Sequence, residues 1–252
     1  MASSAGKEKF LLVHYKKLFK NNESDFRFSS LRKWVLRYVK GTHILDLGCG
    51  TGHITKTLLE QGCKVTSADT DPEMIRLTQL YTGNKDALVL KGEELQKLGK
   101  NRFDTIIALD VIEHIKNDTL VLDNMHAVLK ENGRIIISVP CFQWLYGKRD
   151  ISMGHWRRYQ WNELSDKITD AGFQIKTMRY WNLLGFFPYA FFEKLLHKPI
   201  NEQLRYKGRG MVGETVNKLL AWWLSFEGLF PQPFGITLLC VADIAKATNF
   251  RT

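Results

Sequence analysis

The run Asp46-Leu47-Gly48-Cys49-Gly50-Thr51-Gly52 sets glycines at alternate positions directly after an apolar segment, His43 to Leu47, and before a helical one, Ile54 to Gln61. Glycine lets the backbone turn sharply and lets a ligand approach without a Cβ in the way. A strand, a glycine loop and a helix in that order are the nucleoside-binding corner of a doubly wound sheet. The chain beyond it keeps the same alternation. Strands are expected at Lys64–Ala68, Ala87–Lys91, Phe103–Leu109, Arg134–Val139, Gln174–Trp181 and Gly235–Ala242. Helices are expected at Pro72–Tyr81, Thr119–Lys130 and Asn162–Ala171, with Gly62 and Gly172 closing the helices they follow. Upstream, Ser29–Val39 places apolar residues at 31, 34, 35, 38 and 39, a helical spacing, and Lys9–Lys20 also looks helical. Strands alternating with helices imply a largely parallel sheet covered on both faces, an α/β fold. Two stretches break the rhythm: Cys141–Tyr159, and Asn182–Phe234, which is too long for a simple connection.

Two other uses of a glycine loop are disfavoured. A dinucleotide fingerprint needs glycine at 53, where the chain has His53, and no Gly-Lys-Ser/Thr follows to cradle a phosphate. Asp69, at the end of the second strand, supplies the next signal. A carboxylate there can accept both ribose hydroxyls; alternatively it caps the helix that begins at Pro72. Standing about twenty residues after the glycine loop, the ribose role is preferred.

Composition narrows the partners. The net charge of +10 is unevenly placed: residues 1–43 carry 10 Lys and Arg against 3 acids, residues 44–141 carry 11 against 14, and residues 142–252 carry 15 against 9. Basic flanks around a mildly acidic centre suggest an anionic partner, although most individual lysines are expected to be solvated surface. Cys49, Cys63, Cys141 and Cys240 have no CxxC or metal-type spacing and read as buried reduced thiols, which points to a cytoplasmic protein. No secretory signal is recognisable at the N-terminus, and no run reaches the ~18 apolar residues that span a bilayer.

Four runs in order, ILDLGCGTG, VTSADTDPEM, FDTIIALDVIEHI and LKENGRIIISVP, resemble the motifs of class I S-adenosylmethionine-dependent methyltransferases of the type 11/12-like kind. The resemblance implies a seven-stranded Rossmann-like sheet of order 3-2-1-4-5-7-6 with strand 7 antiparallel. It implies S-adenosyl-L-methionine as cofactor, with Gly48, Gly50 and Gly52 against its methionine part and Asp69 on its ribose. Glu93 or Glu94 is then expected near the adenine and Asp110 beside the donor, with Asp46, Cys49 and Thr70 completing the donor-contacting set. It further implies residues 1–40 as an N-terminal helical lid, in which Arg27 or Arg32 could meet the donor carboxylate. The methyltransferase domain is then 41–252, with an acceptor-side segment at 141–160 and a helical insertion at 182–234.

Methyl transfer from a sulfonium is an in-line displacement, so alignment and exclusion of water carry most of the catalysis. An alcohol acceptor also needs a base. Nucleobase and protein-amide methylases of this superfamily carry Asn/Asp-Pro-Pro-Tyr/Phe after the fourth strand. Here Asp110-Val111-Ile112-Glu113-His114 stands instead, which argues against a nucleobase amine as the acceptor, and no RNA-binding signature is present. The acid-x-x-Glu-His spacing is similar to quinone-biosynthesis O-methyltransferases, where it is associated with a divalent metal. Three readings stay open: Glu113 and His114 shape the pocket, His114 is the base, or the pair ligates a metal; the first is preferred, with no metal assigned. Further on, Gly154-His155-Trp156-Arg157-Arg158-Tyr159 and the runs after it resemble a bacterial subgroup with a GHxRRY motif, often associated with glycan or lipid-linked saccharide assembly. Arg157 and Arg158 suit phosphate or carboxylate because guanidinium is a planar fork of donors. With Tyr159 they are the expected acceptor contacts, unless one arginine makes a structural salt bridge, and His155 is a second candidate base.

The insertion is unusually aromatic. LLGFFPYAFF (183–192) and LLAWWLSFEGLF (219–230) are apolar nearly all round a helix, with Lys194, His197, Lys198, Arg205, Lys207 and Arg209 between them. Such helices are buried in protein or dip into a membrane face, and core packing is the default expectation. The sequence therefore reads as a cytoplasmic O-methyltransferase for an anionic amphipathic acceptor, such as a lipid-linked saccharide or polyprenyl compound, with a peripheral membrane contact as the alternative to core packing for its insertion. A small-molecule quinone-type enzyme is the alternative, and a basic nucleic-acid-binding module is the weaker one.

Overall fold

In a computed structural model the described residues are 26–196, 211–227 and 229–246. The expected helix at Lys9–Lys20, most of the expected lid and the cationic residues 197–209 lie outside them. A seven-stranded sheet has the order β3-β2-β1-β4-β5-β7-β6. Its strands are β1 (His43–Leu47), β2 (Lys64–Asp69), β3 (Ala87–Val89), β4 (Phe103–Leu109), β5 (Leu129–Pro140), β6 (Phe173–Trp181) and β7 (Thr237–Ile244). The pairs β1–β2, β2–β3, β1–β4 and β4–β5 are parallel. The helices are α1 (Phe26–Tyr38), α2 (His53–Glu60), α3 (Pro72–Thr82), α4 (Asp118–Val128), α5 (Lys148–Met153), α6 (Trp161–Asp170), α7 (Leu183–Ala190) and α8 (Met211–Glu227). The chain divides into two compact units.

The larger unit is Val39–Ser138, Gln160–Met178 and Leu239–Thr252. Its strands are apolar runs rather than alternating ones: Ile106–Ala108, Ile135–Ile137 and Leu239–Ala242 are all buried, which is what a sheet covered on both faces requires. Helix α3 starts as the sequence chemistry prescribes. Asp71 accepts from Glu73 N at 2.8 Å, Pro72 takes the first helical position, and Gly83 closes the helix in the left-handed region. An Arg134–Asp243 ion pair, bidentate at 2.6 and 3.1 Å, ties β5 to β7. One boundary differs from expectation. The helix expected to reach Lys130 ends at Val128, because Leu129 pairs with Phe103 of β4. The register then slips before Thr105 meets Arg134, a bulge that local helix propensity does not reveal.

The second unit is Met1–Tyr38, Val139–Tyr159 and Arg179–Leu238. It gathers the N-terminal helix, the segment after β5 and the aromatic insertion. Helix α1 buries Leu31, Trp34 and Val35, and it packs along α8. Buried Glu227, at the end of α8, accepts from Asn182 N at 2.9 Å and Leu183 N at 3.2 Å, and so caps the start of α7. Trp181 donates its indole N–H to Leu224 O at 3.1 Å. Arg27, a candidate for the donor carboxylate, lies over the Trp181 ring and reaches Thr237 Oγ1.

Core packing, the default expectation for the insertion, is corrected. Tyr189, Leu224 and Glu227 are buried, but Phe187 is 57% exposed, Phe191 48%, Leu219 60% and Trp222 63%. Among the described side chains the exposed positions are as aromatic as the buried ones, so these rings are left in solvent. Among the described residues no helix is long and apolar enough to cross a membrane.

Candidate active site

The donor corner lies in the larger unit. The loop after β1 hooks onto β2, with Gly48 N and Cys49 N both donating to Ala68 O, at 2.7 and 3.1 Å. A Cβ at Gly48 would stand 2.4 Å from Val111 Cγ2, so this glycine is demanded by protein packing. Gly50 differs: its φ is +54° and a Cβ there would meet none of the described residues within 4 Å. Its N–H donates to Asp69 Oδ2 at 2.9 Å, while Asp69 Oδ1 accepts from Asp71 N at 3.0 Å. The helix cap is Asp71, not Asp69, which removes the alternative role considered for Asp69. Each Asp69 oxygen keeps lone-pair capacity for a hydroxyl. Burial raises the Asp69 pKa, against the backbone hydrogen bonds that lower it.

Asp46 stands behind the loop. It is 3% exposed and accepts from Thr55 Oγ1 at 2.6 Å; Thr55 meets Ser67 Oγ at 2.8 Å, and Asn84 donates to Ser67 Oγ at 3.0 Å. Desolvation raises the Asp46 pKa to about 6. Its expected donor contact thus becomes support of the loop through a buried network. Cys49 is nearly buried, with Sγ 3.6 Å from Thr78 Oγ1, and burial pushes its thiol pKa up, so it is no thiolate nucleophile. Thr70 is exposed. Of the two acids on the 3₁₀ turn Gly92–Leu98, Glu94 pairs with Lys97 at 3.0 Å, and Glu93 is half-buried without that commitment.

Asp110 ends β4 at φ +54°, a conformation seldom adopted by a residue with a side chain. Its N–H donates to Ser138 O at 2.9 Å, and its Oδ1 accepts from Ser138 Oγ at 2.8 Å. A strained residue held by such contacts beside a glycine loop marks a built site. Ser138 was not legible as part of it. Glu113, fully buried, and His114, half-buried, share the short turn Ile112–His114.

In the second unit the GHWRRY segment is organised by a residue the motif does not contain. Asp150, fully buried, accepts from Arg158 Nε at 2.9 Å, Gly147 N at 3.0 Å and Tyr189 Oη at 3.1 Å, all on Oδ2. Its Oδ1 lies 2.8 Å from His155 Nδ1. Burial acts to raise the Asp150 pKa, but the His155 hydrogen bond and the Arg158 charge outweigh it and hold the group at about 2. Arg158 also donates to Cys141 O at 3.2 Å and to Tyr189 Oη. Arg158 is thereby corrected from an acceptor contact to a structural ion pair, since its fork is consumed inside the unit and it is only 4% exposed. Tyr159 is corrected likewise: it is fully buried and its backbone bridges to Cys141. Arg157 stays half-buried. Glu193, on a single π-helical turn after α7, is 4% exposed, and neither of its oxygens has a hydrogen-bond partner among the described residues. No sequence pattern flagged Glu193, or Asp150 and Tyr189, which meet across 39 residues of sequence.

The open side of Gly50, the available Asp69 oxygens and the strained Asp110 fit a nucleoside-bearing methyl donor. The class is set by the chain's family. Residues 24–177 match the pattern of a methyltransferase domain. The chain belongs to that methyltransferase-domain family. Among solved structures, a methyltransferase of Archaeoglobus fulgidus shares the fold at TM-score 0.57 and 18% identity, over 91% of this chain and 99% of its own. A TehB-like methyltransferase of Corynebacterium glutamicum does so at 0.56 and 17%, over 97% and 100%. Among curated proteins, the ubiquinone biosynthesis O-methyltransferase of Xanthomonas euvesicatoria is 28% identical over 39% of this chain and 43% of its own. That of Xylella fastidiosa is 31% identical over 40% and 42%. The chain spans less than half the length of these curated relatives.

Proposed function

We propose that the enzyme methylates an oxygen of an anionic, amphipathic acceptor, a lipid-linked saccharide or polyprenyl compound, while resting on a membrane surface. The observation that carries this reading is the exposed aromatic stripe of the second unit, Phe187, Phe191 and Trp222 foremost. Phe187 packs against Phe186 and Phe234, and Trp222 stacks on Phe226, so the exposed rings are clustered locally; exposed apolar patches mark interaction sites, and partial insertion of each ring contributes a share of the ~1.5–3 kcal/mol of a fully buried apolar side chain. Exposed Lys148 and Lys218 lie in the same unit, and Lys198, Arg205, Lys207 and Arg209 fall in the same stretch of sequence. Near an anionic leaflet each cation adds about 1 kcal/mol.

The donor supplies an electrophilic methyl group on a sulfonium. Gly50 and Asp69 hold it, with Asp46 and Thr55 fixing the loop from behind. His155 would take the proton of an acceptor hydroxyl. Arg157 would meet the acceptor's anionic group, and Glu113 and His114 would orient the helix that follows them. A second reading, a small-molecule enzyme of the quinone type, is favoured by the names of the curated relatives.

Sedimentation with vesicles tests the membrane part. Wild type should bind phosphatidylglycerol vesicles more than phosphatidylcholine ones, reversibly and with partial weakening by salt. Phe187→Glu with Phe191→Glu should abolish binding yet melt like wild type. A double mutant that is insoluble or melts far lower identifies the stripe as core and ends this reading. Labelled donor incubated with a membrane extract tests the acceptor: mild acid should release the label with a saccharide, whereas label retained on an aromatic lipid favours the quinone reading.

A further inference from the structure

Asp150 divides its carboxylate between two tasks. Oδ2 receives three donors, the Arg158 guanidinium, the Gly147 amide and the Tyr189 hydroxyl, which fix the plane of the group. Oδ1 faces His155 Nδ1 at 2.8 Å. The histidine backbone is held as well: its N–H donates to Asp150 O at 2.9 Å and its carbonyl accepts from Tyr146 Oη at 2.8 Å. Arg158 and Asp150 need no histidine to make a satisfied ion pair. An arrangement that keeps one carboxylate oxygen for an imidazole nitrogen therefore does something more than neutralise the arginine.

We infer that Asp150 is a positioning residue that holds His155 in its Nδ1–H tautomer, so that Nε2 keeps its lone pair and can accept a proton. Which ring nitrogen of a histidine carries hydrogen is set by the hydrogen bond the other side makes. Held at about 2, the Asp150 carboxyl is ionised and acts only as an acceptor toward the ring at neutral pH. Tyr189 and Arg158 act one step further out, by keeping Oδ1 aimed at the ring. The assignment rests on the proposal that His155 is the base.

Asp150→Asn tests it with a readout that a merely structural role does not move. In the variant the amide oxygen should stay with Arg158, Tyr189 and Gly147, which are all donors, so the amide NH2 turns toward His155. The ring must then accept at Nδ1 and carry its hydrogen on Nε2. Long-range ¹H–¹⁵N correlation on histidine-labelled protein reads the tautomer directly. The expected result is Nδ1–H in wild type and Nε2–H in Asp150→Asn. Turnover, measured as S-adenosylhomocysteine formed with a membrane lipid extract, should fall by roughly 10²–10⁴ at unchanged S-adenosylhomocysteine affinity. Nε2–H in the wild-type protein overturns the inference without any variant, which covers the case where Asp150→Asn does not fold. An unchanged tautomer in a folded Asp150→Asn overturns it too. A reversed tautomer with undiminished turnover instead removes His155 as the base, the reading beneath it.

Discussion

Replacing Gly50 by alanine separates what the glycine loop does for the fold from what it does for the donor. At φ +54° an alanine costs about 1–2 kcal/mol relative to glycine, the penalty of a Cβ in the left-handed region. Nothing further is added by the described residues, because the new methyl group meets none of their atoms within 4 Å. Gly48→Ala carries the same backbone penalty, since its φ is +69°, and drives its Cβ to 2.4 Å from Val111 Cγ2. Overpacking of that kind typically costs about 1–3 kcal/mol more. Thermal melts should therefore rank wild type above Gly50→Ala, and Gly50→Ala above Gly48→Ala. Donor affinity should tell the other half. The Gly50 methyl group fills the open side of the loop, so calorimetric titration with S-adenosylhomocysteine should show at least a tenfold loss, about 1.4 kcal/mol. Wild-type affinity in a folded Gly50→Ala protein would refute the assignment of that space to the donor.

Two further expectations concern buried carboxyls. The folded Asp46 pKa, raised from 3.8 to about 6 by desolvation, means the native state binds more protons than the unfolded state between those values. Stability should fall by about 3 kcal/mol as pH rises from 4 to 6 and then level off; Asp46→Asn should lose that slope in denaturant titrations, and an identical slope would refute the burial cause. Glu193 is buried with both oxygens unpaired among the described residues, so Glu193→Met should stabilise the fold by about 1–3 kcal/mol. A lower melting temperature would mean the carboxyl has a partner after all.

Much of the donor corner was legible because it is local. Strand, glycine loop and helix follow one another within some twenty residues, and the backbone demands at Gly48 and Gly50 can be met only by that residue type, so the chemistry is written in consecutive positions. The apolar runs of β1, β4 and β5 likewise announce strands covered on both faces wherever they occur. The acceptor side was not legible in this way. GHWRRY displays two arginines side by side, yet whether a guanidinium faces a ligand or a buried carboxylate depends on what packs over it. Asp150, eight positions earlier, and Tyr189, 31 positions later, took up the Arg158 fork. The aromatic insertion shows the same limit from the other direction. Its segments 183–192 and 219–230 are apolar nearly all round a helix, so their sequence does not choose a buried face; the chain's packing buried Tyr189 and Leu224 and left Phe187 and Trp222 in solvent. Periodicity and backbone stereochemistry act through neighbours in sequence and were decided before folding. Charge pairing and burial act through neighbours in space, and only the tertiary structure supplies those.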